Sequence, residues 1–249
     1  MTQLSANTIK TIRSLSEKKF RDRLGLFTVE GEKMVSEALA SSFEVENVYR
    51  TEEIGAATME RITSLSSPSP VLATVRIPGD LHSSAEKVLK GGRGLYLALD
   101  TIRDPGNMGT IIRTADWFGV DAIFAAPDSV DVFNPKVVQS TMGAIFRVKF
   151  HYTSIPELLK RCSLLGGTSY GTFLDGDSIY GPLPEGGDYP VIIVIGNESR
   201  GISPETGSLV NRRITIPSFA KEGAGSESLN AAVATAVTLA EFRRRGLNH

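Results

Sequence analysis

Residues 95–115 read Leu95-Tyr-Leu-Ala-Leu99, then Asp100-Thr-Ile-Arg-Asp104-Pro105-Gly106-Asn107-Met108-Gly109, then Thr110-Ile-Ile-Arg113-Thr114-Ala115. An apolar run without alternation is what a strand covered on both faces requires. The Asp-Pro-Gly-Asn-Met-Gly segment is stiff and exposes backbone. It leads into a helix predicted over 107–118 and closed by Gly119 at the position after the helix end. Strand, polar loop and helix in that order is the unit of an α/β domain, and in such domains ligands bind at the carboxyl ends of the strands.

The same unit recurs downstream. Strands are predicted over 121–126, 146–152, 167–173, 191–195 and 212–216, and helices over 135–142, 155–162 and 228–244. The pattern predicts a mostly parallel sheet with helices on both faces. Upstream the chain reads differently. A basic helical stretch over 8–24 places Ile9, Ile12 and Leu15 on one face. A strand over 27–30, a helix over 33–40 buried through Met34, Val35, Ala38 and Leu39, and a strand over 45–49 follow. Ser64 to Pro70 is a turn, and Gly91-Gly92-Arg93-Gly94 reads as a connection. The expected organisation is a small α/β domain over 1–94 and an α/β domain over 95–249.

With 249 residues, 41% apolar and 22% charged, the chain can bury a substantial core. A net charge of −1 advertises no global attraction for nucleic acid, but a local basic patch can still serve. One such patch is legible: Lys10, Arg13, Lys18, Lys19, Arg21 and Arg23 stand against only Glu17 and Asp22 within 8–24. They are candidate contacts for a nucleic-acid backbone, the alternative being a solvated charged face. The single cysteine, Cys162, excludes an intramolecular disulfide, and His82, His151 and His249 are too scattered for a metal site. No secretory signal or membrane-length apolar run is apparent, so a cytoplasmic location is expected.

Two further segments resemble 100–109 in placing glycine and polar residues after an apolar strand. One is Ile195-Gly196-Asn197-Glu198-Ser199-Arg200-Gly201; the other is Ile216-Pro217, a Gly-rich loop, then Ser226-Glu227-Ser228-Leu229-Asn230 and an Ala-rich helix. The plain structural alternatives are that Asn107 caps its helix, Ser228 caps the last one and Arg200 pairs with Glu198, but so rigid a lead-in to Asn107 at a strand's carboxyl end suits a site better than a connector. Gly196 and Gly201 would let backbone approach a ligand. One Arg, one Glu, two Asn and several Ser suit holding a cofactor and activating a hydroxyl. A phosphate-loop lysine, a zinc cluster and a dinucleotide G-x-G-x-x-G are missing. Gly167-Thr-Ser169-Tyr-Gly171 matches the nucleophile elbow, but turn-like residues follow it and the only later histidine is His249.

Together the three segments resemble the motifs of the SpoU/TrmH family of RNA ribose 2′-O-methyltransferases, in the SPOUT superfamily. Asn107-Met-Gly109-Thr-Ile-Ile-Arg113-Thr114-Ala115, Gly196-Asn-Glu198-Ser-Arg-Gly201, and Ile216-Pro217 with Ser228-Leu229-Asn230-Ala-Ala-Val-Ala234 occur in the family's order. More loosely, Phe27-Thr-Val-Glu30-Gly31-Glu-Lys-Met-Val-Ser-Glu37-Ala38 resembles the ribosomal-protein-like RNA-binding domain of many members. The loop between Ile216 and Ser228, with Lys221 and Glu222, is longer than in many relatives. The resemblance implies a C-terminal trefoil knot, a homodimer, and S-adenosylmethionine held by Thr172, Gly196, Ile216, Pro217 and Leu229. It implies catalytic roles for Asn107, Arg113, Glu198, Ser228 and Asn230. Arg113 would be the base, helped by an RNA phosphate or by Glu198, or else a clamp on the phosphate, since arginine side chains stay protonated. The expected substrate is ribosomal RNA of the large-subunit type. The alternatives are transfer RNA, a non-catalytic RNA-binding protein on the same fold, or an unrelated α/β enzyme.

Overall fold

The computed structural model describes residues 3–79, 81–82, 85–89, 93–182, 189–220 and 228–245. The described elements run α1 (Ala6–Ser14), α2 (Lys18–Leu24), β1 (Leu26–Glu30), α3 (Glu32–Ala40), β2 (Val45–Arg50), α4 (Thr51–Ile54), α5 (Ala56–Ile62) and β3 (Val71–Arg76). They continue α6 (Ala85–Leu89), β4 (Gly94–Asp100), α7 (Pro105–Trp117), β5 (Ala122–Ala125), α8 (Pro135–Thr141), a short 3-10 turn, β6 (Phe150–Tyr152) and α9 (Ile155–Leu164). The last are β7 (Thr168–Ser178), β8 (Pro190–Gly196), α10 (Pro204–Leu209), β9 (Arg212–Thr215) and α11 (Ala231–Arg244). The chain forms two compact units, Met1–Gly79 with Asp131–Arg147, and Asp80–Val130 with Val148–His249. A single cut at 94/95 leaves Asp131–Arg147 with the larger part; in the structure that segment packs with the smaller one.

The small unit holds an antiparallel sheet in the order β1-β3-β2. The strand β3, buried from Val71 to Val75, was not anticipated from the sequence. The basic stretch over 8–24 is two helices rather than one. The break has a physical cause in Arg21. Its guanidinium turns inward and donates to the carbonyls of Leu15 (2.7 Å) and Ser16 (2.9 Å), in the break that follows α1. Its Nε donates to Asp131 Oδ2 at 3.0 Å, and the side chain is only 2% exposed. Phe133 stacks on Phe27 at 4.4 Å between ring centres and Phe146 meets Phe43 at 5.2 Å, so aromatic packing completes what the ion pair begins. In α3 the buried stripe ends at Ala38, and Leu39 in the last turn stays exposed. The buried Glu30 carboxylate pins the Ser/Pro turn by accepting from Ser64 N (2.8 Å) and Ser64 Oγ (2.5 Å).

The large unit holds a six-stranded sheet in the order β6-β5-β4-β8-β7-β9, parallel throughout. β4 and β8 pair in the middle, from Leu95 opposite Val191 to Leu99 opposite Ile195. Both are buried along nearly their whole length, which is why neither alternates. Tyr96, Ala98, Ile192 and Val194 pack in one cluster with Ile155, Leu158, Leu159 and Cys162 of α9. On α11, Phe242 meets Tyr170 of β7 edge-on at 4.9 Å, and Arg243 Nε donates to Phe118 O, just past α7, at 2.7 Å. From β4 the chain moves outward to β5 and β6; β8, β7 and β9 lie on its other side. The order therefore switches between β4 and β8, where α/β sheets open a crevice at the strands' carboxyl ends.

Candidate active site

The loops that leave β4 and β8 start side by side, Asp100 opposite Gly196. After β4 the helix α7 is capped by Asp104, whose Oδ1 accepts the Asn107 amide N–H at 2.7 Å, with Pro105 at the first helical position. The cap considered for Asn107 thus falls to an aspartate three residues earlier. That leaves the Asn107 side chain free for the site. After β8 the chain folds into a tight hairpin, with Asn197 and Gly201 exchanging backbone hydrogen bonds of 2.9 Å in both directions. A Cβ on Gly196 would lie 2.2 Å from the carbonyl carbon of Gly201 and 2.3 Å from Ile202 N. The hairpin returning over it requires glycine at 196.

Glu198 reaches from this hairpin to α7. Its Oε1 accepts from Asn107 Nδ2 at 3.0 Å and from Asp104 N at 3.3 Å, and its Oε2 accepts from Asn197 Nδ2 at 3.3 Å. Asn107 Oδ1 in turn accepts from Asn230 Nδ2 at 2.8 Å. Asn230 Oδ1 caps α11 by accepting from Ala232 N (2.9 Å) and Val233 N (3.3 Å). The cap of α11 is therefore Asn230 and not Ser228, which lies exposed before it. The chain of bonds has one possible direction. A carboxylate only accepts and a backbone N–H only donates, so both amides must present their NH2 groups toward Glu198. Three segments spread over residues 107–230 thereby form one hydrogen-bonded chain, which links an anion to the positive end of a helix.

Beside this chain lies a cavity of about 420 Å³ at the carboxyl ends of β8 and β9 and against the middle of β7. Thr172, Gly196, Glu198, Ile216, Ser228 and Leu229 line it, together with Phe173 and Leu174, which the sequence did not single out. Pro217, Asn107, Arg113 and Asn230 are not among the lining residues. Thr172 Oγ1 donates to Val194 O at 3.2 Å, which orders the cavity wall. Arg113 is exposed on α7 and, among the described residues, makes no hydrogen bond or ion pair. Of the two aids considered for Arg113, Glu198 makes no hydrogen bond or ion pair with it here and bonds Asn107 instead. Arg200 does not pair with Glu198 either; its backbone N–H donates to Asn197 Oδ1 at 3.1 Å.

The other candidates separate by exposure. Lys10, Arg13 and Arg23 are exposed, as are Lys18 and Lys19, which pair with Asp22 (2.7 Å) and Glu17 (2.8 Å). Arg21, buried on Asp131, is withdrawn as an RNA contact. Ser169 of the apparent nucleophile elbow is fully buried in β7 and held by Asn211, whose Oδ1 accepts from its hydroxyl at 2.8 Å. Cys162 is also buried, which pushes its thiol up to about 12 and makes it inert as a nucleophile. Among the described residues no group of His, Cys, Asp and Glu could hold a metal, and no helix is long and apolar enough to cross a membrane. Lys221, Glu222, Ser226, Glu227, Gly91, Gly92 and His249 lie outside the described residues.

The sequence profile of the SpoU rRNA Methylase family matches residues 94–240. The chain belongs to that family. The profile of the MRM3-like substrate binding domain matches residues 6–74. Among curated SpoU relatives, the 23S rRNA (guanosine(2553)-2′-O)-methyltransferase RlmP of Bacillus subtilis is 28% identical, over 94% of this chain and 95% of that one. Among solved structures, a TrmH-family protein of Porphyromonas gingivalis is 39% identical, with a TM-score of 0.84 over 98% of this chain and 100% of its own. The AdoMet-bound rRNA methyltransferase of Sinorhizobium meliloti superposes with a TM-score of 0.86 at 28% identity, over 99% of each chain. In this chain the SpoU motifs coincide with the Glu198–Asn107–Asn230 chain and the wall of the cavity.

Proposed function

We propose that this protein methylates a ribose 2′-hydroxyl of ribosomal RNA of the large-subunit type, with S-adenosylmethionine as methyl donor. The observation that carries the reading is the convergence of the three family motifs on one hydrogen-bonded chain beside a cavity of about 420 Å³. That volume lies within the roughly 300–1,000 Å³ usual for small-molecule sites. Its wall mixes Gly196, Ile216 and Leu229 with the polar Thr172, Glu198 and Ser228. Such a wall suits a ligand carrying an adenine, a ribose and an amino acid. Bound there, S-adenosylmethionine supplies an electrophilic methyl group.

The protein's own part is positioning, which can contribute roughly 7–11 kcal/mol to a reaction between two bound partners. Glu198 and Asn230 fix Asn107 from opposite sides, and the tie between α7 and α11 holds the floor of the site. Arg113, with an exposed and uncommitted guanidinium among the described residues, grips the phosphate beside the target ribose and turns the hydroxyl inward. Exposed Lys10, Arg13, Lys18, Lys19 and Arg23 of the small unit hold the RNA backbone, consistent with the substrate-binding profile over 6–74. The large unit folds as the trefoil knot of SPOUT enzymes and works in the cytoplasm as a homodimer. Trp117 at the end of α7, 85% exposed, and Val233 on α11, 49% exposed, give that dimer an apolar face.

The test is transfer of labelled methyl from S-adenosylmethionine to unmodified ribosomal RNA, wild type beside Arg113→Ala, with sedimentation for the dimer. Label recovered from the large-subunit RNA as an alkali-resistant 2′-O-methyl nucleotide, and lost in the variant, supports the reading. Label in transfer RNA alone redirects the substrate, and no label in any RNA overturns the activity.

A further inference from the structure

The loop after β4 contains an unusual backbone. Thr101 has φ = 65°, in the left-handed region. A β-branched residue there is a genuine outlier, because its branched Cβ crowds the following carbonyl. It persists only where surrounding bonds over-determine it, and such outliers cluster at functional sites. Here each bond can be named. Thr101 O accepts from Asn197 Nδ2 at 2.8 Å, and the Thr101 hydroxyl bonds both carboxylate oxygens of Asp128 at 3.1 and 3.2 Å. The preceding residue, Asp100, is buried, and its Oδ2 accepts from Ser203 N at 2.7 Å. Two of these ties, through Asn197 and Ser203, run from the segment after β8 to the end of β4, across the switch between the two strands.

Asn197 is the hub. Its Oδ1 accepts from the backbone N–H groups of Ser199 (3.0 Å) and Arg200 (3.1 Å), which shapes the hairpin that carries Glu198. Its Nδ2 donates to Thr101 O and to Glu198 Oε2. The acceptor end therefore builds the hairpin, while the donor end aims it at α7. We infer that Asn197 is a positioning residue for the methyl-transfer site, which locks the strained Thr101 turn to the hairpin and so sets Glu198 against Asn107. This rests on the methyltransferase reading above for its consequence, but the lock itself is a property of the folded chain.

The two ends of the side chain can be separated by substitution. Asn197→Asp keeps an oxygen for the Ser199 and Arg200 amides and removes both donated bonds, setting a carboxylate beside Glu198 and the Thr101 carbonyl. Asn197→Ala removes both functions. In steady-state assays with S-adenosylmethionine and ribosomal RNA, Asn197→Asp should lower kcat by about 10- to 100-fold, with KM for each substrate within about threefold of wild type. The Glu198→Gln variant supplies the decisive comparison. If Asn197 acts through Glu198, adding Asn197→Asp to Glu198→Gln should change kcat by less than about threefold, because coupled residues are not additive. Losses that multiply, or a wild-type kcat in Asn197→Asp, would overturn the inference. A second readout is independent of RNA. In 1H–15N spectra of the full chain, the Asn107 side-chain amide should shift in Asn197→Asp as it does in Glu198→Gln. An unmoved Asn107 amide refutes the lock even if the protein methylates nothing. A moved amide with an inactive wild type would refute the activity and leave the lock standing.

Discussion

Two arginines show how one residue type is put to opposite uses in the two units. Arg21 of the small unit is 2% exposed and bonded to Asp131 and to the carbonyls of Leu15 and Ser16. Arg113 of the large unit is exposed and, among the described residues, bonded to nothing. Arg21 joins a segment 110 residues away to the small sheet, so its charge is spent within the fold. Arg113 lies in the segment that resembles the first SpoU motif, and under the proposed function its charge serves the RNA. The motif singles out Arg113, but nothing in the sequence around Arg21 marks it as buried, since it sits among other charged residues of a helix. Burial decides: a guanidinium taken from water must be paired, and an exposed one is free to bind.

The largest expected effect breaks the comparison on the functional side. Arg113→Ala should lower methyl transfer by about 10²–10³, the usual cost of removing one charge-stabilising donor from a site, while the thermal midpoint stays put. Arg113→Lys should not restore it, because an ammonium cannot offer the planar fork. A fully active Arg113→Ala would show that its freedom has no use. On the structural side, Arg21→Ala should destabilise the protein by roughly 3–5 kcal/mol in urea unfolding, since Asp131, with only 15% of its side chain exposed, is left unpaired. The double variant with Asp131→Ala should regain part of that loss. An unchanged midpoint would mean that Arg21 is no more committed than Arg113.

A smaller effect comes from an ion pair of intermediate kind. Hydrogen bonds from Arg244 and Arg245 hold Glu241 well below its ordinary value of 4.5, at about 2. A depressed carboxylate stabilises the fold above the unfolded value and loses that contribution as pH falls through the folded one. Stability should therefore fade between about pH 4.5 and 2, and Glu241→Gln should flatten that limb of a melting-temperature profile. Salt should weaken the effect, because Arg244 is 68% exposed. The smallest expected signal is at Cys162. With its thiol pushed up to about 12 by burial, it should resist iodoacetamide at pH 8 and react only once the fold opens. Fast labelling of the native protein would show the core of the large unit to be looser than the one around Arg21.

Much of the fold was legible in short stretches. Leu95–Leu99 and Val191–Ile195 announced buried parallel strands because two covered faces leave no room for alternation. The sequence also marked the loops that carry Asn107, Glu198 and Asn230. Their actual partners were misread. Asn107 and Ser228 were candidate caps of α7 and α11, but Asp104 and Asn230 fill those places. Asp104-Pro105 was a readable cap signal that outranks Asn107. The break after α1 was hidden because the residue that satisfies its carbonyls, Arg21, looked like one more surface cation.

The sequence by itself determined the α/β class, the succession of the large unit's strands and the family, since these follow from local pattern and motif order. Only the tertiary structure decided which polar groups meet. It set Glu198 against Asn107 and Asn107 against Asn230, turned Thr101 into the left-handed region under Asn197, and sent Arg21 to Asp131. Each of these contacts joins residues far apart in the chain, and what selects it is the demand that every buried or half-buried donor and acceptor find a partner.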